Sequence, residues 1–507
     1  MLVNWKKLQR EYFLEGKNFV DLIEEFAEKN PSTLALHFEY ENGNIVEFSY
    51  KEFVEKINQY ANFFYSEDIR KSSRVAIFLP KCQEFYFFIF ALIKIGAIPM
   101  PLFEAFQKEG LTLRLKKGDV NFLITNKELS QRYEKVKSVK KVFLVEELKK
   151  VSSNKKAKKH NPKEKDVCLM LFTSSTAGTP VAGIMLPYKG AVQWIYSAKE
   201  VLGLEKGKKY FCSAHPGWVT GSIYGVIAPF LVGASVYSLD GRFNDERWLD
   251  FLKRNKITNV YSAPTVFRLL KDKIKKGDLN FLERVCSVGE ALPKSLVEQY
   301  LSLGIKIIDT YWQTEIGSIV IANIPFKLGA LGKAVGVNIS LKKGEIVLKK
   351  PWPSMMVGIY KHEKMYKSYF SGNFFHTKDL AKKDGDGYFY FEGRKDDIIK
   401  TSGERVSPLE IENILMKFKG IKECAVVGIP DKERGAILKA FVVLNDKSQA
   451  SEKLKEEISL FVKNNYAGHS YPKIIEFIDE LPKGNSGKIL RKKLVEEKII
   501  KKSLNCR

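Results

Sequence analysis

The chain has 507 residues, 45% hydrophobic and 12% aromatic, which excludes a disordered polymer and calls for two or three packed domains. Its formal net charge is +25, from 84 Lys and Arg against 59 Asp and Glu, so anionic partners suit it, small phosphorylated ligands included. The lysines are strung along the whole sequence and form no single basic arm, so a solvated Lys-rich surface is expected and nucleic-acid binding is not.

The six cysteines (Cys82, Cys168, Cys212, Cys286, Cys424 and Cys506) show neither CxxC nor metal-ligand spacing, which fits a reducing compartment without a disulfide framework. The first 18 residues lack an apolar signal core. The longest apolar run, 85–93, stops at Lys94, too short to cross a bilayer, and reads as a buried helix. A cytoplasmic protein with no membrane partner is expected.

Along the chain, short apolar runs alternate with amphipathic stretches, the pattern of parallel α/β layers. Strands are expected at 75–79, 121–125, 142–145, 167–172, 210–213, 235–239, 259–262, 285–288 and 305–309, with helices at 83–95 and 245–255 among them. The Lys-rich stretch 149–165 reads as a surface connection between subdomains. Past residue 340 the character changes. Strands at 345–348 and 388–391 lead to a polar segment, 393–397, taken as a domain boundary. A strand at 397–400 follows, then a helix opened by Ser407-Pro408-Leu409-Glu410, which has the form of a capping box with proline at the first helical position. Ile411, Leu415 and Phe418 give that helix an apolar face. Strands at 425–428, 440–444 and 474–478 and a helix near 451–464 complete a compact α+β tail. The expected organisation is an α/β protein: a large N-terminal domain of layered mixed and parallel sheets with helices, 1–394, and a small mobile α+β domain, 395–507.

Four segments carry possible chemistry. Thr173-Ser174-Ser175-Thr176-Ala177-Gly178-Thr179-Pro180 follows an apolar strand, and small hydroxyl residues with glycine on such a loop suit polyphosphate, though an ordinary turn has the same composition. It is not a Walker loop, since no Gly-Lys-Ser/Thr follows. In Ile308-Asp309-Thr310-Tyr311-Trp312-Gln313-Thr314-Glu315, a Thr hydroxyl beside a Glu carboxylate can hold a phosphate with its magnesium; a turn with a buried aromatic pair is the plainer reading. Asp379 can accept both ribose hydroxyls, and Arg394, in Gly393-Arg394-Lys395-Asp396-Asp397, can bind phosphate or sugar oxygens, although exposed ion pairs look alike in sequence. Finally, Leu481-Pro482-Lys483-Gly484-Asn485-Ser486-Gly487-Lys488 presents a lysine on a Ser-Gly turn, or is a basic tail.

Each segment alone is weak, but their order and spacing resemble the ordered motif set of the adenylate-forming enzymes: acyl-CoA synthetases, firefly-type luciferases and peptide-synthetase adenylation domains. The resemblance runs from about Leu22 to Lys493. His215-Pro216-Gly217-Trp218-Val219-Thr220-Gly221, Ser287-Val288-Gly289-Glu290-Ala291, Tyr311-Trp312-Gln313-Thr314-Glu315 and Trp352-Pro353-Ser354 are most similar to acetyl-CoA synthetases.

The resemblance implies ATP and CoA as substrates, with Mg2+. It places Thr173, Ser174, Thr176 and Gly178 on the loop around the β- and γ-phosphates, Thr314 at the α-phosphate and Glu315 as metal ligand. Gly289 and Glu290, with the backbone of Asp309, Thr310 and Tyr311, would border the adenine. Asp379 would bind the ribose, Arg394 the ribose or phosphate, and Arg405 a phosphate. Asp396 falls at the hinge, Lys488 at the lysine that stabilises adenylate formation, and Ser402 and Gly403 on the segment facing CoA. Trp218, Val219, Thr220, Val288 and Trp312 would shape the acyl pocket, with the Trp312 indole leaving room for one or two carbons. The implied activity is AMP-forming ligation of acetate or a short-chain acid to CoA, by a monomer or small homo-oligomer. The alternatives are an adenylating ligase for another small carboxylic acid and a catalytically impaired nucleotide-binding relative. The chain departs from the pattern at Ser175, Ala177, Val181 and Ala182 of the phosphate loop, at His215 where Asp is usual, at Ala291 where Pro is usual, and at Lys378 where Gly precedes the ribose Asp.

Overall fold

The computed structural model describes residues 3–12, 14–149, 157–163, 165–172, 182–395, 397, 399–401, 404–431, 435–465, 471–484, 489–491 and 493–495. The chain forms two compact units, one comprising 1–174, 180–338 and 349–375, the other 175–179, 339–348 and 376–507.

The first unit has the layered α/β character expected. Among its described residues, nine strands form the largest sheet, and six of them run parallel in the order Ile307–Tyr311, Arg284–Ser287, Asn259–Ser262, Lys209–Cys212, Ser235–Leu239 and Leu34–Glu39. Ser235–Leu239, Asn259–Ser262 and Ile307–Tyr311 are buried at every position, as strands covered by helices on both faces must be. Antiparallel strands Ile45–Ser49, Ile321–Ala322 and Lys333–Ala334 finish the two edges. A second sheet pairs Ile98–Leu102, Arg74–Phe78, Phe122–Thr125 and Lys141–Leu144, all parallel. A third is antiparallel, of Val167–Phe172, Gly183–Pro187 and Gly358–Ile359.

The crossover helices follow from sequence. Asp245–Asn255 starts where the Asn244 side chain accepts the Arg247 N–H (2.9 Å) and stops at Lys256 in a left-handed conformation. It buries Trp248, Leu249, Phe251 and Leu252 against Phe211, Tyr237, Val260 and Val285 of the sheet. Each such side chain contributes roughly 1.5–3 kcal/mol.

The nine strands expected before residue 310 lie within about two residues of those found, whereas those expected at 425–428 and 440–444 are shorter than Ile421–Asp431 and Gly435–Leu444. Several strands found were not expected from sequence, and three of them in the first unit show why. Ile98–Leu102 carries Pro99 and Pro101, which argue against a strand anywhere but at an edge, and an edge is where it sits. Leu34–Glu39 hides behind buried polar residues: His37 Nδ1 lies 2.7 Å from Glu47 Oε1, and Glu39 takes the Arg254 guanidinium on both oxygens. Its neighbour, Ile45–Ser49, is largely exposed or half-buried.

The apolar run 85–93 is a buried helix, Gln83–Lys94, but Lys94 does not end it by reaching solvent. Lys94 is 1% exposed and its ammonium is held by Glu24 and by Asn58 Oδ1 (2.7 Å). Part of the connection 149–165 is likewise drawn inward. Ala157 N donates to Asn58 Oδ1, His160 N to the Lys94 carbonyl, and the His160 ring meets Asp166 at 2.9 Å. Among the described residues no helix is long and apolar enough to cross a membrane.

In the second unit, Ile421–Asp431, Gly435–Leu444 and Ile474–Phe477 form a sheet whose core includes Ile411 and Leu415 of the helix Pro408–Leu415 and Ile458 and Val462 of Glu452–Asn465. The capping box expected at Ser407 does not form. Pro408 does open the helix, but the Ser407 hydroxyl donates to the Glu392 carbonyl and Glu410 pairs with Lys382. The hydroxyl is oriented toward a partner remote in sequence and not toward the helix N–H groups.

Removing one member of a buried ion pair strands the other. Lys94→Ala should lower stability by about 3–5 kcal/mol, and Lys94→Met with Glu24→Leu should recover most of that loss. Urea unfolding reads both; a loss under about 1 kcal/mol in Lys94→Ala would show that the pair is solvated.

Candidate active site

Ligands of open parallel sheets collect outside the strand carboxyl ends, where the strand order reverses. Here the reversal falls at Lys209–Cys212, which lies between Asn259–Ser262, later in sequence, and Ser235–Leu239. The Ser213 and Ser262 hydroxyls bridge the two neighbouring ends at 2.8 Å. The next two ends carry Val288, Gly289 and Glu290 after Arg284–Ser287, and Trp312, Thr314 and Glu315 after Ile307–Tyr311. Residues 20 or more apart in sequence therefore meet along one edge.

Val288 is buried and its N–H donates to the Ser262 carbonyl. Gly289 has φ +90° and nothing within 4 Å of where a Cβ would stand, so it faces open space. Glu290 is held in place, accepting from the Thr265 hydroxyl at 2.8 Å and from Arg268 at 3.2 Å. Asp309 is buried, and burial pushes its carboxyl well above the usual carboxylate range, against a hydrogen bond from Thr310 N–H.

Trp312 is fixed from two sides. Its indole N–H donates to the Tyr261 hydroxyl (3.1 Å), and the Tyr224 ring stands edge-on to it at 5.1 Å and 83°. Tyr224 belongs to a π-helical segment, Gly221–Ile227, a widened turn that often marks functional sites. Its hydroxyl meets Ser197 and Ser318 and accepts the Ile319 N–H.

Just before that segment, Val219 and Thr220 are half-buried, and the Trp218 ring lies 5.3 Å from Phe103. His215 is buried, and burial, aided by the Lys81 charge, pushes its imidazole down to about 3. It is neutral, and Nδ1 accepts the Gly217 N–H at 2.9 Å, which ties the turn leading into Trp218.

The turn holding Thr314 and Glu315 is braced from behind. Gly317, at φ +79°, passes so close to Ser354 that a Cβ would stand 2.2 Å from its carbonyl oxygen. Trp352 Nε1 and the Ser354 hydroxyl both donate to the Ile316 carbonyl at 2.9 Å, and Trp194 Nε1 donates to the Gly317 carbonyl. One Glu315 carboxylate oxygen accepts the Tyr369 hydroxyl at 2.9 Å. Among the described residues no three His, Cys, Asp or Glu side chains group as a self-sufficient metal site. A single hard carboxylate on a braced turn fits magnesium, which is commonly held by one or two carboxylates, waters and substrate phosphates.

The second unit contributes its own set. Asp379 is buried and its carboxylate lies 3.2 Å from Arg394 Nε, across the paired strands Phe374–Lys383 and Phe389–Arg394. Lys378, standing where the family has glycine, adopts φ +61°. Arg405 pairs with Lys400 in a hairpin, its side chain lying outside the described atoms. On either side of 485–488, Lys483 bridges Ile489, Leu490 N–H donates to the Pro482 carbonyl, Lys483 pairs with Glu423, and Arg491 grips both oxygens of Glu412 at 2.7 Å. Lys488 itself, Thr173, Ser174, Thr176, Gly178, Asp396, Ser402 and Gly403 lie outside the described residues.

Tyr224, Tyr261 and Tyr369 were missed from sequence. The clue available was that a buried tyrosine must find a partner for its hydroxyl, which says that a partner exists but not which one.

The chain belongs to the AMP-binding enzymes: the model of that family matches residues 23–358, and that of the AMP-binding enzyme C-terminal domain matches 410–488. It is 38% identical over 483 residues to the acetyl-coenzyme A synthetase of Bacillus subtilis, covering 88% of this chain and 84% of that protein. An uncharacterized acyl-CoA ligase of the same organism, YtcI, is 30% identical, with 94% and 95% covered. Among solved structures, the anthranilate CoA ligase AuaEII in complex with anthranoyl-AMP superposes with a TM-score of 0.85 at 26% identity, covering 94% of this chain and 96% of that one.

A lysine held at positive φ costs of order 1 kcal/mol that glycine avoids. Lys378→Gly should stabilise the protein by about 0.5–1 kcal/mol relative to Lys378→Ala in thermal or urea unfolding. An alanine variant as stable as the glycine one would mean that the left-handed turn is not kept in solution.

Proposed function

We propose that this AMP-forming acyl-CoA ligase takes acetate, converting acetate, ATP and CoA to acetyl-CoA, AMP and pyrophosphate through acetyl-adenylate. The observation that carries the reading is Trp312, braced beside the strand ends by Tyr261 and Tyr224, where a large flat side chain would leave room for a very short acid. The likeness to an acetyl-coenzyme A synthetase at 38% identity supports it.

In the first step a carboxylate oxygen attacks the α-phosphorus and pyrophosphate leaves. Thr314 would meet the α-phosphate, while Thr173, Ser174, Thr176 and Gly178 would cradle the β- and γ-phosphates. Gly289, Glu290 and the backbone of Asp309, Thr310 and Tyr311 would border the adenine, the open side of Gly289 leaving space for it. Asp379 would accept the ribose hydroxyls, with Arg394 beside it and Arg405 on phosphate. Magnesium, when bound, neutralises charge building on the phosphates, and Glu315 would hold it. Lys488 would set an ammonium group against the reacting phosphate, worth about 3–4 kcal/mol by comparison with other preorganised oxyanion donors.

In the second step the CoA thiolate attacks the acyl carbon and AMP leaves. The tail 395–507 would turn about Asp396, withdrawing Lys488 and bringing Ser402 and Gly403 to CoA. Trp218, Val219, Thr220 and Val288 would complete the acyl pocket with Trp312.

A second reading has an observation in its favour. Ser175, Ala177, Val181 and Ala182 alter the phosphate loop and leave it without the lysine that the family carries there. On that reading the chain binds nucleotide or acyl-adenylate with little turnover.

Acid-dependent pyrophosphate release with acetate, propionate and butyrate, with and without CoA, separates the two. Release greatest with acetate supports the proposal; release greatest with a larger acid overturns the acetate assignment, and release with none leaves the binding reading. Lys488→Ala should slow pyrophosphate release by about 10²–10³ while sparing thioester formation from supplied acetyl-adenylate. Equal loss of both steps would show that its role is misassigned. Trp312→Gly should shift the preferred acid to four carbons or more, and an unchanged preference would remove Trp312 from the pocket.

A further inference from the structure

Trp312 does not hold its own orientation. Its indole N–H donates to the Tyr261 hydroxyl at 3.1 Å, that hydroxyl lies 2.8 Å from Thr310 Oγ1, and Thr310 Oγ1 donates to the Ser287 carbonyl at 2.6 Å. The direction of every proton follows by elimination. A carbonyl accepts, so Thr310 spends its one proton on Ser287; Tyr261 must then donate to Thr310, and its remaining lone pair receives the indole, which can only donate. The chain runs one way, Trp312 to Tyr261 to Thr310 to Ser287, and each hydroxyl gives once and receives once. Tyr261 is 0% exposed, so water cannot replace it as acceptor without a rearrangement. Burial also raises its hydroxyl well above the usual range, so the proton stays on at any working pH. On the other side Tyr224 stands perpendicular to both rings, 5.1 Å from Trp312 and 5.7 Å from Tyr261.

We propose that Tyr261 is a positioning residue that sets the chain-length limit, its hydroxyl locking the Trp312 indole to the strand end through Thr310 and Ser287. This rests on the acetate reading for the meaning of the limit, though not for the existence of the lock. To admit a longer acid the indole must swing aside, and swinging breaks a part-buried hydrogen bond whose acceptor is itself fixed. A tryptophan without the tyrosine would yield to a larger acid more readily.

The test uses Tyr261→Phe in the full chain, with two readouts. The ratio of kcat/KM for propionate to that for acetate should rise by about tenfold, which is about 1.4 kcal/mol, with a larger rise for butyrate. In protein labelled with 15N at the indoles, the chain's six tryptophans give six N–H signals, and the one lost in Trp312→Phe identifies Trp312. In Tyr261→Phe that signal should move and exchange with solvent faster, whatever acid the enzyme uses.

A ratio unchanged within twofold in a folded variant, or an indole signal that stays in place, overturns the proposal. A wild type that prefers a larger acid overturns the acetate reading instead, and the indole signal then decides the lock alone. Should Tyr261→Phe fail to fold, Thr310→Ser and Thr310→Val replace it. The serine keeps the hydroxyl and should preserve the chain-length ratio and the Trp312 signal, whereas the valine should shift both. Identical behaviour of serine and valine overturns the lock.

Discussion

The register of three parallel strands governs what the rest of the first unit can do. Ser262 pairs with Ser287 and Ser287 with Asp309, so two strands end at one level and the third runs two residues farther, to Tyr311. Val288, Gly289 and Trp312 emerge together because of that alignment, and Tyr261 lies one residue back, within reach of Thr310. In a sheet the side-chain period is two, so a slip of one residue would turn Tyr261 and Thr310 to opposite faces. Strands buried on both faces resist such a slip, since either face would lose its packing.

Two different physical devices bring reactive groups into position. In the first unit they sit on strand ends and on turns braced by buried donors, as where Trp352, Ser354 and Trp194 fix the carbonyls of Ile316 and Gly317. In the second, the residues that flank 485–488 are held by the Arg491–Glu412 and Lys483–Glu423 pairs, and Lys488 falls between them in sequence. The first device suits pre-organised recognition.

Much of the architecture was legible because apolar strands and amphipathic helices announce themselves by period. Ser235–Leu239 and Asp245–Asn255 could be placed to the residue. Besides prolines in an edge strand and an exposed strand, what stayed hidden was a buried polar group whose partner is remote in sequence. Lys94 looks like a helix terminator until Glu24, 70 residues earlier, is seen to take its charge. Ser407-Pro408-Leu409-Glu410 has every mark of a capping box, yet the Ser407 hydroxyl is turned to donate to the Glu392 carbonyl and makes no cap hydrogen bond. Candidate site positions could be proposed because their motifs are linear, whereas the contacts of Tyr224, Tyr261 and Tyr369 follow no linear pattern.

The same contrast bears on how a small-acid pocket is made reliable. A hydrophobic wall alone discriminates against an added methylene by only about 1–3 kcal/mol, because a side chain with free rotamers can give way. Tethering the wall to the backbone through successive hydroxyls raises the cost of giving way without adding a contact to the substrate. On the proposed reading the tether would hold because its end point, the Ser287 carbonyl, belongs to a strand hydrogen-bonded on both sides. Polar groups buried in the body of such a protein therefore need not touch the substrate to set what it accepts; they need only be anchored to something that the fold itself holds still.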